Sequence, residues 1–337
     1  MTLGNSRSAI LRDTAHCLTV LFVVSAGCVP MQGSAQSFPT GPIVIVVPFE
    51  PGGPTDLIPR TIAPKLSESL GVPVTIENKP GAAGNVGAGE VARSKPDGRK
   101  LLLFQGGLFT VNPWIFREMP FNPQRDFTPI TDLASTPNVM VVSAEVKANT
   151  IAELIELVKA NPSALNYGTP GRGTSPHLCV ESFKLMSGGL DIVHVPFKSG
   201  PAAVTNLLSN QVQISCMNIS AVLPSIKANR IRALAITSTA RNSILPGVPT
   251  MEEAGLRGFE VSGWFGLAAP AQTPKETVAR LNVVIREALT DARVAERLNV
   301  VGLTIMGNTP ENVARNISVE SAKWRKIIET ANIRMDD

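Results

Sequence analysis

The segment at 42–49 (PIVIVVPF) is a short β-branched apolar run, stopped by Pro51-Gly52-Gly53 and followed at once by a helical pattern. Such a run reads as a buried strand. The helical pattern covers 55–70, with Asp56 near its start and Gly71 as a C-cap. Pro59 sits in its early turns and predicts a late start or a distorted first turn, to which Pro64 adds. A second strand is expected at 72–77, a loop at 78–84, a short helix at 85–94 and a third strand at 100–104. Strand, helix, strand, helix, strand is the order of a parallel α/β layer.

The alternation then repeats. Residues 112–137 read as irregular and proline-rich, and 139–143 (VMVVS) as a strand. Thr150 caps a helix over 150–160, with Glu153 completing a capping box. A short strand end at 166–168 follows. Helices are expected at 177–186, 201–209 and 221–228, with strands at 191–195, 212–217 and 231–237. The chain ends with a strand at 263–269 and helices at 274–289, 291–300 and 310–331. The 337 residues suffice for about two domains. No repeat and no long low-complexity stretch interrupts them.

The start of the chain is of another kind. Arg7 and Arg12 precede an 11-residue apolar run at 17–27, too short to span a bilayer. Gly33-Ser34-Ala35 then offers small residues to a signal peptidase, so 1–35 reads as a signal peptide with Gln36 as the first mature residue. Lipoprotein processing at Cys28 is the alternative, weakened by Ser25 where a lipobox carries Leu. Removing 1–35 takes away two Arg and one Asp and lowers the net charge from +4 to +3. That mild excess suits anionic ligands, and no basic cluster with interleaved aromatics points to nucleic acid. Of four cysteines, Cys179 and Cys216 remain. An exported protein permits a disulfide, but two separate buried thiols is the reading slightly favoured.

Two loops carry the chemistry. In Val47–Asp56 (VPFEPGGPTD), Gly52 and Gly53 let the backbone approach a ligand, and N–H groups at the helix start favour a carboxylate. Phe49 can wall that ligand, and Asp56 can accept a hydrogen bond from a ligand amine or water; a plain turn with Asp56 as cap is the competing reading. In 166–177 (NYGTPGRGTSPH), Gly168, Gly171 and Gly173 free the backbone, Thr169, Thr174 and Ser175 offer hydroxyls, and Arg172 a charge. Ser175 and His177 suggest a hydrolase only superficially, since a spacing of two does not bring side chains together on a helix and no GxSxG is present. His177 and His194 read as structural. The letters GxGxxA at 87–92 do not follow a strand directly, and GxxxxGK[ST], HExxH and CxxC are absent, so no nucleotide, cofactor, metal or catalytic set is expected. Trp264 and Phe265 read as packing.

From PIVIVVPFEPGGPTD onward the chain resembles the Bug-type periplasmic receptors of tripartite tricarboxylate transporters. Supporting segments are ENKPGAAGNVGAGEVARSKPDG, NYGTPGRGTSPHL, HVPFK, SAVLPSIKANRIRALAITSTAR, LPGVPTMEEAG and WFGLAAPAQTP, in order over 38–332. The resemblance implies an α/β, periplasmic-binding-protein-like (Venus flytrap) fold of two lobes joined by two crossing segments. Lobe 1 would be 36–138 with 262–337, and lobe 2 would be 139–261. It implies an extracytoplasmic solute-binding receptor, not an enzyme, that captures a small carboxylate for a membrane permease and works as a monomer. A sensor for a signalling partner would share the fold. The ligand-binding residues implied are Phe49, Gly52, Gly53 and Asp56 on one lobe, and Gly171, Gly173, Thr174, Ser175, Lys198 and Asn218 on the other. The strand end at 104–107 would also line the cleft. Asn206 stands where the family often has Asp. Gln105-Gly106-Gly107-Leu108-Phe109 replaces a Thr/Ser, which hints at a larger, more apolar pocket for an aromatic or longer aliphatic carboxylate.

Overall fold

The computed structural model describes residues 38–331, 333 and 334. The expected signal peptide, its cleavage site and the Cys28 alternative lie outside the described residues.

The first layer comprises β1 (Ile43–Val47), α1 (Pro54–Leu70), β2 (Val74–Asn78), α2 (Asn85–Ala92) and β3 (Lys100–Gln105). All β1 pairings are parallel, to β2 on one side and β3 on the other. Side chains alternate across β1: Ile43, Ile45 and Val47 enter one apolar cluster with Ile58, Ile62 and Leu66 of α1, while Val46 enters another with Val91 of α2. That two-sided burial is why the run has no polar alternation.

The proline expectation for α1 is overturned. The helix starts early, at Pro54, and continues through Pro59 and Pro64. Pro54 takes a first-turn position whose N–H has no helical partner anyway. Each inner proline costs a hydrogen bond, but Ile58, Ile62 and Leu66 bury the face that holds the helix in place.

The segment read as irregular is also ordered. After α3 (Gly106–Thr110), α4 (Asn112–Ile115) and α5 (Pro123–Asp126), β4 runs over Phe127–Ser143. Pro129 and Pro137 hide its first part from a sequence reading. Register shifts at Pro129/Thr131 and Asp132/Ala134 absorb the irregularity.

The second layer contains α6 (Ile151–Ala160), β5 (Asn166–Thr169), α7 (Ser175–Met186), β6 (Val193–Pro196), α8 (Gly200–Leu208), β7 (Ile214–Asn218), α9 (Ile219–Lys227) and β8 (Ile231–Ile236). The chain closes with β9 (Ser262–Pro270), α10 (Lys275–Thr290), α11 (Ala292–Asn299), β10 (Thr304–Ile305) and α12 (Pro310–Ala331). The strand order is β2-β1-β3-β9-β4-β7-β5-β6, with β8 and β10 also on β4. Thus β5 pairs in parallel with β6 and β7, but β4 and β9 run antiparallel to their neighbours.

β4 changes partners along its length. Phe127–Pro137 pairs with β9, and Asn138–Val142 pairs with β7. α12 likewise serves both layers: Val313 and Ile317 pack with Phe104 and Trp264, and Trp324 and Ile328 pack with Phe183 and Tyr167 of the second layer. Buried Asp132 holds the turn before α12, accepting from the N–H groups of Gly307 and Asn308 at 3.1 and 2.7 Å.

Cys179 of α7 and Cys216 of β7 form a disulfide, with Cα atoms 6.1 Å apart. This overturns the favoured reading of two separate thiols. α7 lies against β7, and that tertiary proximity leaves no trace in the local sequence.

Candidate functional site

The β1–α1 loop is shaped by Gly52, whose φ of +98° suits glycine. Gly53 is the N-cap of α1 and brings no side-chain cap; Pro54 has no N–H and the Asp56 N–H donates to the Gly53 carbonyl at 3.0 Å, so the Thr55 N–H is the donor of the first turn left open. Asp56 does not cap the helix through its own first-turn position. Its Oδ1 accepts from Arg60 Nε at 2.9 Å and Asn78 Nδ2 at 3.1 Å, and its Oδ2 accepts from the Gly52 N–H at 3.4 Å. Asn78 Nδ2 also donates to the Phe49 carbonyl at 3.1 Å. This buried carboxylate therefore ties both ends of the loop to β2.

The second loop, after β5, is held from beneath by two imidazoles. His177 Nδ1 accepts the Gly173 N–H at 3.3 Å. His194 Nε2 lies 2.7 Å from Thr169 Oγ1, and that hydroxyl also takes the Gly171 N–H at 3.3 Å. Thr174 caps α7, accepting from the His177 N–H, and donates to the Gly171 carbonyl at 2.8 Å. Burial, then the positive charges of Arg172 and Lys184, pushes His177 down to about 3. Burial, then His177 and Arg172, does the same to His194, also to about 3. Beneath them the Tyr167 hydroxyl donates to Glu181 at 2.5 Å, and burial holds this phenol far above its ordinary range. His177 is thus engaged by the loop backbone, not aimed at Ser175 as a hydrolytic base. Arg172 donates to the Arg334 carbonyl at 2.9 Å.

A cavity of about 560 Å³ opens between the two layers. Of the residues expected at the site, Phe49, Gly52, Gly53, Asp56, Thr174, Lys198 and Asn218 line it. Gly171 and Gly173 do not, though both shape the loop from which Pro170 and Thr174 face the space. Ser175 lines a smaller neighbouring cavity with Trp264 and Glu320, and its Oγ lies 3.5 Å from Asn218 Nδ2. Of the strand end at 104–107, only Gln105 reaches the main cavity. Leu108 and Phe109 turn into the core with Phe104, so they do not widen the pocket. Phe265 lines the cavity, whereas Trp264 is packed and donates to Glu320.

The helices expected at 201–209 and 221–228 are present, but the sequence reading did not bring their starts to the site. α8 begins at the cavity with Ser199, Gly200 and Pro201, and the Ser199 hydroxyl caps it, accepting from the Ala202 N–H at 3.3 Å. α9 begins there with Asn218, whose side chain does not cap the helix; its Nδ2 donates to Asn138 Oδ1 at 2.7 Å. Ser220 also lines the cavity, and its buried Oγ has no hydrogen-bond partner among the described residues. The available signal was a hydroxyl residue just after the strand end at Asn218. Four helices of eight residues or more (α1, α7, α8 and α9) thus present their N-termini to one space, each contributing partial positive charge.

Among the described residues no group of three or more His, Cys, Asp or Glu is placed to hold a metal. No helix among them is long and apolar enough to cross a membrane. The GxGxxA letters fall inside α2, where Gly87 and Gly89 allow close packing against Pro48 and Pro120.

A mixed sheet covered by helices, with a cavity at strand ends and helix starts, defines a periplasmic-type solute-binding fold. Residues 58–333 match the tripartite tricarboxylate transporter family receptor, and the chain belongs to that family. It is 33% identical over 316 residues to Protein BugT of Bordetella pertussis, covering 94% of this chain and 96% of BugT. The solved structure of Rpa4515 from R. palustris with adipate superposes with a TM-score of 0.84 at 34% identity, covering 88% of this chain and 99% of that one. MatC (Rpa3494) from Rhodopseudomonas palustris with bound malate gives a TM-score of 0.81 at 31% identity, covering 86% and 100%. The chain is therefore a Bug-type receptor by family and fold.

Proposed function

We propose that this receptor works in the periplasm, captures a small carboxylate without turning it over, and hands it to the membrane permease of a tripartite transporter. The carrying observation is the convergence of four helix N-termini on one cavity, two of them without a side-chain cap. Uncapped N–H groups and aligned helix dipoles favour an anion at that spot. The adipate and malate held by the two related receptors support the same ligand chemistry.

In this reading the lobes are 36–138 with 262–337 and 139–261, and the end of α12 reaches into the second lobe's core. β4 and the return into β9 are the two crossings, and closure about them brings Gly52, Gly53 and Phe49 toward Thr174, Lys198 and Asn218. Asp56 orients the first loop, while Gly171 and Gly173 shape the second. Ser175 supports Asn218. Ser220 is added as a ligand contact.

The test is calorimetric titration of the purified mature chain with mono- and dicarboxylates and with their neutral amides. Binding of at least one acid, no binding of its amide, and an unchanged ligand recovered afterwards is the expected result. Equal affinity for acid and amide rejects the anion site, and release of a cleaved product from an ester analogue rejects a pure receptor.

A further inference from the structure

We propose that Arg297 and Ser220 form a second anion seat at the far end of the cavity, so that the preferred ligand carries two anionic groups about 7–8 Å apart. The seat builds on the carboxylate reading and selects among carboxylates.

The first seat lies at the start of α1, where the Thr55 N–H is open and Thr174 faces the same space. Arg60 follows Thr55 by five residues, which at about 1.5 Å per residue is about 7–8 Å along the helix axis. α11 packs beside α1 there: Leu57 and Val301 border one apolar cluster with Val294 and Leu298. Arg297 of α11 and Val301 of the turn after it line the cavity. That turn touches the start of α9, since a Cβ on Gly302 would lie 2.4 Å from Ile219 Cγ2. Ser220, next in the chain and also on the cavity wall, thus comes to the same end as Arg297 from the opposite layer.

Both groups have unmet bonding capacity. Ser220 Oγ is buried and has no hydrogen-bond partner among the described residues. Arg297 has no hydrogen-bond or ion-pair partner among them, unlike Arg60, which is held by Asp56 and Asn78. A guanidinium presents a planar fork of donors that matches a carboxylate, and a ligand oxygen satisfies a buried hydroxyl that otherwise lacks a partner. α9 adds the partial positive charge of a helix start without a side-chain cap. Between the seats Leu57, Val204, Met217 and Phe265 offer an apolar wall, which suits a hydrocarbon body. Glu50 lines the cavity too and leaves room for a cationic group on that body, which the second seat neither requires nor excludes. Lys198, the other unpaired cation on the wall, is the rival reader of the far end.

Calorimetry on the purified mature chain compares succinate, adipate and pimelate with their monoamides, which keep the length and lose one charge. The expected result is that adipate or pimelate binds at least 10-fold tighter than its monoamide, with a smaller gain for succinate, whose carboxylates are too close to span both seats. Monoamides that bind as tightly as their diacids at every length overturn the second seat while leaving the carboxylate receptor standing. An equal or larger gain for succinate overturns the placement of the seat. No binding by any of the six overturns this inference, and the wider panel of acids above decides the carboxylate reading separately. Variants then assign the contact. Arg297 is exposed, so Arg297→Gln should fold, and the ratio of diacid to monoamide affinity should drop at least 5-fold. Ser220→Ala should lower it at least 2-fold, and an unchanged ratio removes Ser220 from the seat. Arg293→Gln takes a charge from one turn earlier on α11, off the cavity wall, and should leave the ratio as it stands. An unchanged ratio in folded Arg297→Gln, an equal drop in Arg293→Gln, or a drop in Lys198→Gln alone overturns the role of Arg297.

Discussion

Trp264 Nε1 donates to Glu320 Oε2 at 2.8 Å, joining β9 to the middle of α12. Gly106 makes room for that indole: a Cβ there would lie 2.3 Å from Trp264 Nε1. Burial raises the Glu320 carboxyl above its usual range, and the Trp264 hydrogen bond only partly offsets this. An acid whose folded pKa is raised is stabilised by protonation, so its contribution to stability grows as pH falls through that value. Glu320→Gln keeps an acceptor without the buried charge. Its expected effect is a neutral to slightly raised melting temperature at pH 7. Trp264→Phe leaves the Glu320 oxygen without its donor and should cost about 1–3 kcal/mol in a denaturant titration.

The two imidazoles under the second loop make the fold acid-sensitive. Both are held down to about 3 in the folded state. The unfolded chain binds these protons near pH 6.5, so it takes up more protons than the folded chain between about 6.5 and 3. Stability is complete above that window and falls as pH drops through it, by at most roughly 1.4 kcal/mol per pH unit for each histidine. His194→Gln should flatten the slope of unfolding free energy against pH across this window. An unaltered slope would remove His194 as its source.

The Cys179–Cys216 bridge closes a sequence separation of 37 residues. Replacing both cysteines with alanine should lower the unfolding free energy by about 2–5 kcal/mol. Both residues are fully buried, so a reductant should act on the native protein only as fast as the protein opens. Reduction kinetics followed by mass spectrometry, compared with unfolding rates, check this.

Gly107 touches the second loop directly: a Cβ on it would lie 2.4 Å from the Gly173 carbonyl oxygen. Backbone on both sides cannot yield as a side chain can, so Gly107→Ala should destabilise by about 1–3 kcal/mol. Gly107→Ala should also displace the Gly173 loop and weaken carboxylate binding. Gly188→Ala, with nothing within 4 Å of the added methyl but a φ of +91°, is the control for backbone strain alone.

Much of this was legible because burial leaves a pattern. β1 shows as an unbroken β-branched run since both its faces are covered. α12 was bounded correctly because Pro310 opens it and Val313, Ile317, Trp324 and Ile328 recur at helical spacing. The first half of β4 was hidden because Pro129 and Pro137 break the local pattern, and only pairing with β9 explains why they are tolerated. Seven of the expected site residues reach one cavity: a Gly-rich strand-to-helix turn marks the loops of Phe49, Gly52, Gly53, Asp56 and Thr174, while Lys198 and Asn218 follow only from the family resemblance. That the starts of α8 and α9 reach the cavity was less visible, because it depends on where β6 and β7 end in space. The occupied state of Asp56 was invisible for the same reason: Asn78 is remote in sequence and adjacent only through the β1–β2 pairing.

α12 has a consequence for how the molecule is made. Trp324 and Ile328 leave the ribosome after residues 111–261, yet they complete an apolar cluster built mostly from those residues. A nascent chain arrested before Pro310 keeps Phe183, Tyr167 and their neighbours short of those partners, and its β9 lacks the Glu320 acceptor for Trp264. A chain cut short of α12 therefore exposes oily surface that proteases and chaperones recognise, and α12 hides it. α12 thus acts as a check, written into the packing, that synthesis has passed Ile328.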